Sequence, residues 1–484
     1  MKDEKIEILD IDGLDVVDNN VKTDSDSKEE ILIESDTKTN RSVRKKRRLK
    51  KGVFQTIFCI VSFLFIIGCC IFYGSRLIKY YKIYNPTSES GEKITLISNA
   101  LIHDTPIVFE GSGVYRENGV YVYKGANANN YIKYANLTWR IIRTNADGSL
   151  EIILDDYINA LAWDFDGNDY INSDIHKYLN DVFVKNLNTD YLVKTSICND
   201  EMESIDKYSC NDKNNEYYVK LLPANDFLNS VADGESYIVN NEQLIWLGTK
   251  GLEEKVWHSN GANISTSPNN YGYLIKPVVT IKNSTALLGG SGTYEDPFII
   301  EKEDKQIKIG SYIKIDNDEW IVYEKTDKNI KLVYSNLYTK KFNTYRFDVE
   351  KNEYDPESEN SLAYLLNHDF YESLAYKDLL LDFDVYTGHY DVSYKDVYKT
   401  KIKVKVGIQN ALDLKFNSDA TGYFSSTKGS DNKILCYGEG SLFYSKPAMA
   451  RSYRPTISIK MPKTYSGDGT MDSPFVIEVS NENE

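Results

Sequence analysis

The feature that most constrains this chain is that its long C-terminal part is written twice. Tyr131-Ile132-Lys133, Asn136 and Trp139 recur as Tyr312-Ile313-Lys314, Asn317 and Trp320, at an offset of 181 residues. Leu179-Asn180 and Phe183 recur as Leu366-Asn367 and Phe370, and Thr249-Lys250-Gly251 as Thr427-Lys428-Gly429. Pro277, Ile281 and Lys282 recur as Pro455, Ile459 and Lys460, and GSGTYEDPFIIE (290–301) returns as GDGTMDSPFVIE (467–478). Blocks kept in order at nearly one spacing mark a duplicated structural unit. Each copy of about 170 residues is large enough to bury near 70% of its unfolded surface, so each is expected to fold alone.

The copies share one grammar. Alternating strand patterns come first, YIKYANLTWRIIRTN then SLEIIL, or SYIKIDNDEWIVYEK then NIKLVYS. A helical spacing follows in SDIHKYLNDVFVKNL or NSLAYLLNHDFYESL. Then come a polar middle region and a returning strand, KPVVTIK or RPTISIK. The GxGTxxxPF strips read as connectors that close each copy with a short terminal strand. This pattern predicts an α+β fold.

Ahead of the repeats, residues 1–40 carry 13 acidic and 5 basic groups without turn chemistry, which predicts a disordered, solvated acidic tail, with docking of a cytoplasmic partner as the competing reading. Residues 41–52 hold eight Lys/Arg. Residues 53–74, VFQTIFCIVSFLFIIGCCIFYG, have no charge, and a helix of that length reaches roughly 33 Å, enough for a bilayer core. The basic flank then predicts a single-pass signal-anchor in the cell membrane. The tail is expected to be cytoplasmic, residues 53–74 to contact the lipid bilayer, and residues 75–484 to be extracellular. Residues 75–104 read as a stalk, 105–301 as the first module and 302–484 as the second. A net charge of −15 argues against nucleic acid as a partner.

Cys198 and Cys210, twelve residues apart in a polar segment, are expected to form a disulfide in an extracellular setting, whereas Cys436 has no counterpart. No nucleophile elbow, phosphate loop, CxxC pair or HExxH helix is present, and the five histidines do not fall at matching positions, so the chain is expected not to be an enzyme. No cofactor is expected. Asp164, Asp166 and Asn168 form a calcium candidate out of register with an EF-hand, with an ordinary turn as the competing reading. Trp246 and Trp257 are expected in the core.

The blocks NNYIKYANLTWRIIRTNADGS (129–149), YINSDIHKYLNDVF (170–183), KLLPANDFLNS (220–230) and LIWLGTKG (244–251), with their second-copy partners, resemble a repeated module of unknown function from Gram-positive bacterial surface proteins. It belongs to the C-type-lectin-like superfamily, which also holds the formylglycine-generating enzymes. The resemblance implies two tandem C-type-lectin-like modules. It transfers no function: the EPN, QPD and WND sugar motifs are absent, and so is an equivalent of the enzymes' copper-binding cysteine pair. The resulting expectation is a membrane-anchored surface protein whose paired modules bind a glycan or protein ligand. The alternatives are a transmembrane scaffold or signalling protein working through the tail, and a formylglycine-generating-type enzyme.

Overall fold

In the computed structural model the repeated blocks become equivalent strands. It describes residues 59–68, 71–74 and 95–478, apart from 168, 205–209, 211–215, 240–242, 303–304, 337–343, 417–421 and 439–440. In the first repeat, β1 (Tyr131–Tyr134), β2 (Leu137–Thr144), β3 (Leu150–Leu154), β4 (Val219–Lys220), β5 (Val278–Ile281) and β6 (Phe298–Ile299) stand in the order β4-β5-β3-β2-β1-β6. In the second, β7 (Tyr312–Ile315), β8 (Asp318–Lys325), β9 (Asn329–Tyr334), β10 (Val406–Ile408), β11 (Pro455–Lys460) and β12 (Phe475–Ile477) repeat it as β10-β11-β9-β8-β7-β12. Neighbours are antiparallel except at the closing edges, where β6 runs parallel to β1 and β12 parallel to β7. The central strands β3 and β5 are buried at every position, so both faces are covered and the pattern there is a continuous apolar run.

The recurring residues turn out to be fasteners. Asn180 donates to Val219 O (2.9 Å) and accepts from Val219 N (3.3 Å); Asn367 does the same with Val406 (2.9 and 3.0 Å). One amide thus satisfies both backbone groups of a short edge strand that lacks a second neighbour. Thr249 Oγ1 accepts from Ala224 N and Thr427 Oγ1 from Ala411 N, both at 2.9 Å. The residue before each closing-strand proline is a buried cation that donates to backbone carbonyls, Lys276 to Asp155 and Ile238, Arg454 to Tyr334, Ser335 and Phe416. Trp139 and Trp320 are both fully buried in the sheet core. In the GxGT strips, Gly290, Gly292, Gly467 and Gly469 all take positive φ, and Gly292 O and Gly469 O receive Tyr131 N and Tyr312 N.

Three expectations need correction. The α+β assignment fails because strands dominate: the segments with helical spacing yield only α2 (Asp174–Asp181) followed by 3₁₀ turns, and α3 (Leu362–Leu365) followed by a π turn. α1 (Ile97–Asp104) is no longer than α2, and the polar middle of each repeat folds into a three-stranded sheet, 246–268 and 423–445. The fold is mostly β. The single-pass transmembrane helix fails as well: no helix among the described residues is long and apolar enough to cross a membrane. Within 53–74 the described residues are 59–68 and 71–74, both helical. The cell-membrane localisation fails with it, as do the cytoplasmic tail and extracellular remainder that depended on the crossing.

Contacts divide the chain into Met1–Gly74 and Ser75–Glu484. Residues 1–40, read as a disordered tail, and the basic segment 41–52 lie outside the described residues. At the end of the segment read as a stalk, α1 buries Ile97 and Leu101 in the core of the repeats.

The repeats do not stand apart. One core cluster runs through both, and backbone and side-chain bonds cross between them. Asn159 Nδ2 donates to Ala411 O (2.7 Å), Ala162 N to Tyr390 OH (2.8 Å), Tyr178 OH to Leu412 O (3.0 Å) and Lys415 N to Ile158 O (2.8 Å). The side chain of Lys415 is sealed in this contact, and burial pushes its ammonium down to about 7. The expectation of independently folding copies therefore gives way to one continuous core.

Candidate functional site

An opening of about 840 Å³ lies where the two repeats meet. Its first-repeat wall is the β1–β2 turn, the segment after α2 (Lys185 to Tyr191) and the end of β5 (Lys282 to Ala286). Its second wall is the chain leaving β6 (Ile300 to Lys302), the entry to β7 (Lys308, Ile309) and the β8–β9 turn (Lys325 to Asp327). The cleft thus belongs to neither copy alone.

The β1–β2 turn is held under strain. Tyr134 and Leu137 pair directly, so the loop has two residues, Ala135 (φ 53) and Asn136 (φ 60), both left-handed. Asn tolerates that region, but Ala costs about 1 kcal/mol there. The end of the first repeat and the entry to the second hold the turn in place. Glu301 Oε2 accepts from Ala135 N (2.7 Å), and Asn136 Nδ2 donates to Ile309 O (3.2 Å).

Five lysines line the cleft, Lys185, Lys282, Lys302, Lys308 and Lys325, against Asp190, Glu301 and Asp327. Lys282 Nζ donates to Asp190 O (2.6 Å) and Lys325 Nζ to Ile307 O (2.7 Å), which fixes one ammonium on each wall. Lys185, Lys282, Lys302 and Lys325 enter no ion pair among the described residues. Tyr134 OH donates to Asn188 O (2.7 Å), and its ring lies 6.1 Å from that of Tyr191. The Tyr191 hydroxyl is held above its ordinary value by burial first, then by the charges of Glu301 and Asp190, with Lys308 opposing. It stays a neutral donor at physiological pH.

The residues singled out from sequence lie elsewhere. Cys198 and Cys210 are bonded to each other, with Cα atoms 5.5 Å apart. They border a smaller hollow of about 330 Å³ above Arg143, Glu151, Lys220 and Asp226. Burial alone would raise the Glu151 carboxyl, but Lys220 and Arg143 hold it below its usual range. Arg143 also forks onto Asp226 at 2.8 and 3.0 Å, so the quartet is balanced in charge and braces β2 and β3 against the α-turn at Ala224–Asn229.

Asp164 of the calcium candidate turns inward, its Oδ1 accepting from Phe165 N (3.0 Å) and Asp174 N (3.4 Å) at the start of α2. Asp166 is exposed, Asn168 lies outside the described residues, and no group of three acidic, His or Cys side chains suited to a metal occurs among the described residues. Trp246 is fully buried and donates to Leu161 O (2.9 Å); Trp257 is half-buried and donates to Met202 O (3.0 Å). Cys436 is buried, and burial pushes its thiol up to about 12.

Sequence reasoning missed the cleft because its lysines are scattered from 185 to 325 with no common spacing. The nearest signals were Lys282, seen only as a repeat marker, and the dense KEDKQIK (302–308) between the copies. Comparison with known proteins adds no assignment: no family model, no curated protein and no solved structure matches this chain.

Proposed function

We propose that this chain is a binding protein and not an enzyme, with paired C-type-lectin-like repeats that take a glycan or protein ligand where they meet. The observation that carries this reading is the cleft itself. It is large enough for an extended ligand, lined by both polar and apolar surface, built from both copies, and bordered by a strained turn. Duplication then has a use beyond multiplying one site, because the second copy completes the wall of the first.

The chemistry around the cysteines counts against an oxidising enzyme of the formylglycine-generating type. Such a reaction needs an accessible, ionisable thiol. Within the repeats, Cys198 and Cys210 are tied to each other, and Cys436 is sealed with its thiol near 12. The scaffold reading depends on residues 1–40, outside the described residues.

The test is a glycan array and a protein pull-down with the full chain, repeated with bulky substitutions in the cleft, Ser284→Trp and Thr326→Trp. Binding that these variants abolish supports the reading. Empty results in both screens overturn it, and binding that the variants leave untouched moves the site elsewhere.

A further inference from the structure

We infer that the cleft between the repeats selects an anionic carbohydrate, a polyhydroxyl chain carrying phosphate or carboxylate groups. This rests on the binding reading above and names the class of ligand.

Charge is the first argument. The whole chain is at −15, yet this opening is lined by five ammonium groups and three carboxylates. A concave site of locally reversed sign concentrates ligands of the opposite sign. Five ammonium groups against three carboxylates leave a local charge of +2, and Lys282 and Lys325 bond to backbone carbonyls from opposite walls. An ammonium carries three donors, so each keeps hydrogens for a ligand and holds a fixed position across the opening. Anionic groups on successive units of one chain would meet first one wall and then the other.

The neutral lining supplies the second argument. Asn188 and Ser284 present an amide and a hydroxyl, the groups that pair with hydroxyls of a sugar or polyol, whereas Asn186 Nδ2 and Thr326 Oγ1 already donate to Phe183 O and Asn329 O (both 3.1 Å). The Tyr191 ring offers an apolar face beside them.

Rival polyanions fit less well. An acidic peptide binding by strand addition needs an open sheet edge, but the outer edge of β6 is already taken. Ile299 N donates to Gly289 O and Leu288 N to Ile299 O, both at 2.8 Å. A single-stranded nucleic acid needs aromatic platforms and favours Arg, yet the cleft has one tyrosine at its surface and no arginine.

The experiment is titration calorimetry on the full chain with five ligands of matched length. They are a carboxylated oligosaccharide (oligogalacturonate), a phosphodiester-linked glycerol phosphate oligomer, a neutral dextran oligomer, an oligoglutamate and a single-stranded oligothymidylate. One or both acidic carbohydrates should bind, with affinity falling as salt rises, and the two arms separate carboxylate from phosphate as the source of charge. Lys185→Gln with Lys302→Gln, both exposed and outside any ion pair, should weaken binding by about tenfold at low salt while leaving the melting midpoint unchanged.

Dextran binding as tightly as the acidic sugars, or an affinity indifferent to salt, overturns the anionic class while the binding reading survives. Oligoglutamate or oligothymidylate binding equally well overturns the carbohydrate class. No binding by any of the five overturns this inference, and only empty array and pull-down screens remove the binding reading beneath it.

Discussion

The first repeat closes its middle segment with the Cys198–Cys210 bridge, while the second carries a single thiol, Cys436, sealed inside the sheet 423–445. The first has an eight-residue α2 with buried His176, where the second breaks its helix into α3 and a π turn. Even the equivalent tryptophans find different partners, Trp139 the carbonyl of Tyr134 and Trp320 the hydroxyl of Tyr376. Yet the sheet order, the Asn clamps, the Thr locks and the buried cations are the same. Selection for a scaffold acts on a few fasteners, and the material between them drifts. The cleft follows no repeat symmetry, because non-equivalent segments of the two copies form it.

The largest test of this comparison is Trp139→Ala. Removing a fully buried indole should cost about 3–5 kcal/mol, and because one core runs through both repeats the whole of 95–478 should melt earlier in one transition. Calorimetry that resolves a separate, undisturbed second repeat would break the shared-core picture. Reduction of Cys198–Cys210 comes next. Opening so short a loop should cost about 3 kcal/mol on the chain-entropy account, and the Cys198→Ala, Cys210→Ala variant should lose the same amount and become blind to reductant.

Asn180→Ala and Asn367→Ala sharpen the equivalence itself. Each leaves one edge-strand donor and one acceptor without its amide, so each should cost about 1–3 kcal/mol, and chemical denaturation should give similar values for the pair. Values that differ severalfold would mean that one clamp is decoration.

A further test concerns pH. Burial pushes His176 down to about 4, and neither ring nitrogen has a hydrogen-bond partner in the structure. The folded state therefore resists protonation that the unfolded chain accepts at about 6.5, so stability is lost as pH falls from 6.5 toward 4, by at most about 1.4 kcal/mol per unit. His176→Gln should flatten that limb of a stability–pH curve. An unchanged limb would place the acid sensitivity elsewhere.

What could be read in the sequence was the duplication and its fasteners, because Asn180, Thr249 and the closing proline each do a job that tolerates few replacements. The strand-rich middle could not be read. Segments such as KVWHSN and NISTSP bury Ser259, Ser267 and His258 through mutual hydrogen bonds, so their inward faces are polar and apolar alternation fails as a signal. The helix forecast failed for the opposite reason, since apolar spacing around Leu179 and Phe183 also suits one short helix ending in 3₁₀ turns. The lysine cleft is a property of assembly, and no local pattern announces it.

The closing strands have a consequence for how the molecule is made. β1 receives its last neighbour from β6, and the bond from Ala135 to Glu301 at that closure spans 166 residues. At about 5–20 residues per second, a growing chain holds that edge open for roughly ten to thirty seconds after β1 emerges. An unpaired edge is an invitation to any extended segment nearby. The strip before β12 carries the same Gly, Thr and Pro-Phe pattern as the strip before β6, so it competes for the same edge. Synthesis resolves the competition, because residue 298 leaves the ribosome well before residue 475. A chain refolding from denaturant has both strips at once. Its slow step is then choosing which end to tie first, and the error it risks is the first repeat closed with the second repeat's strand.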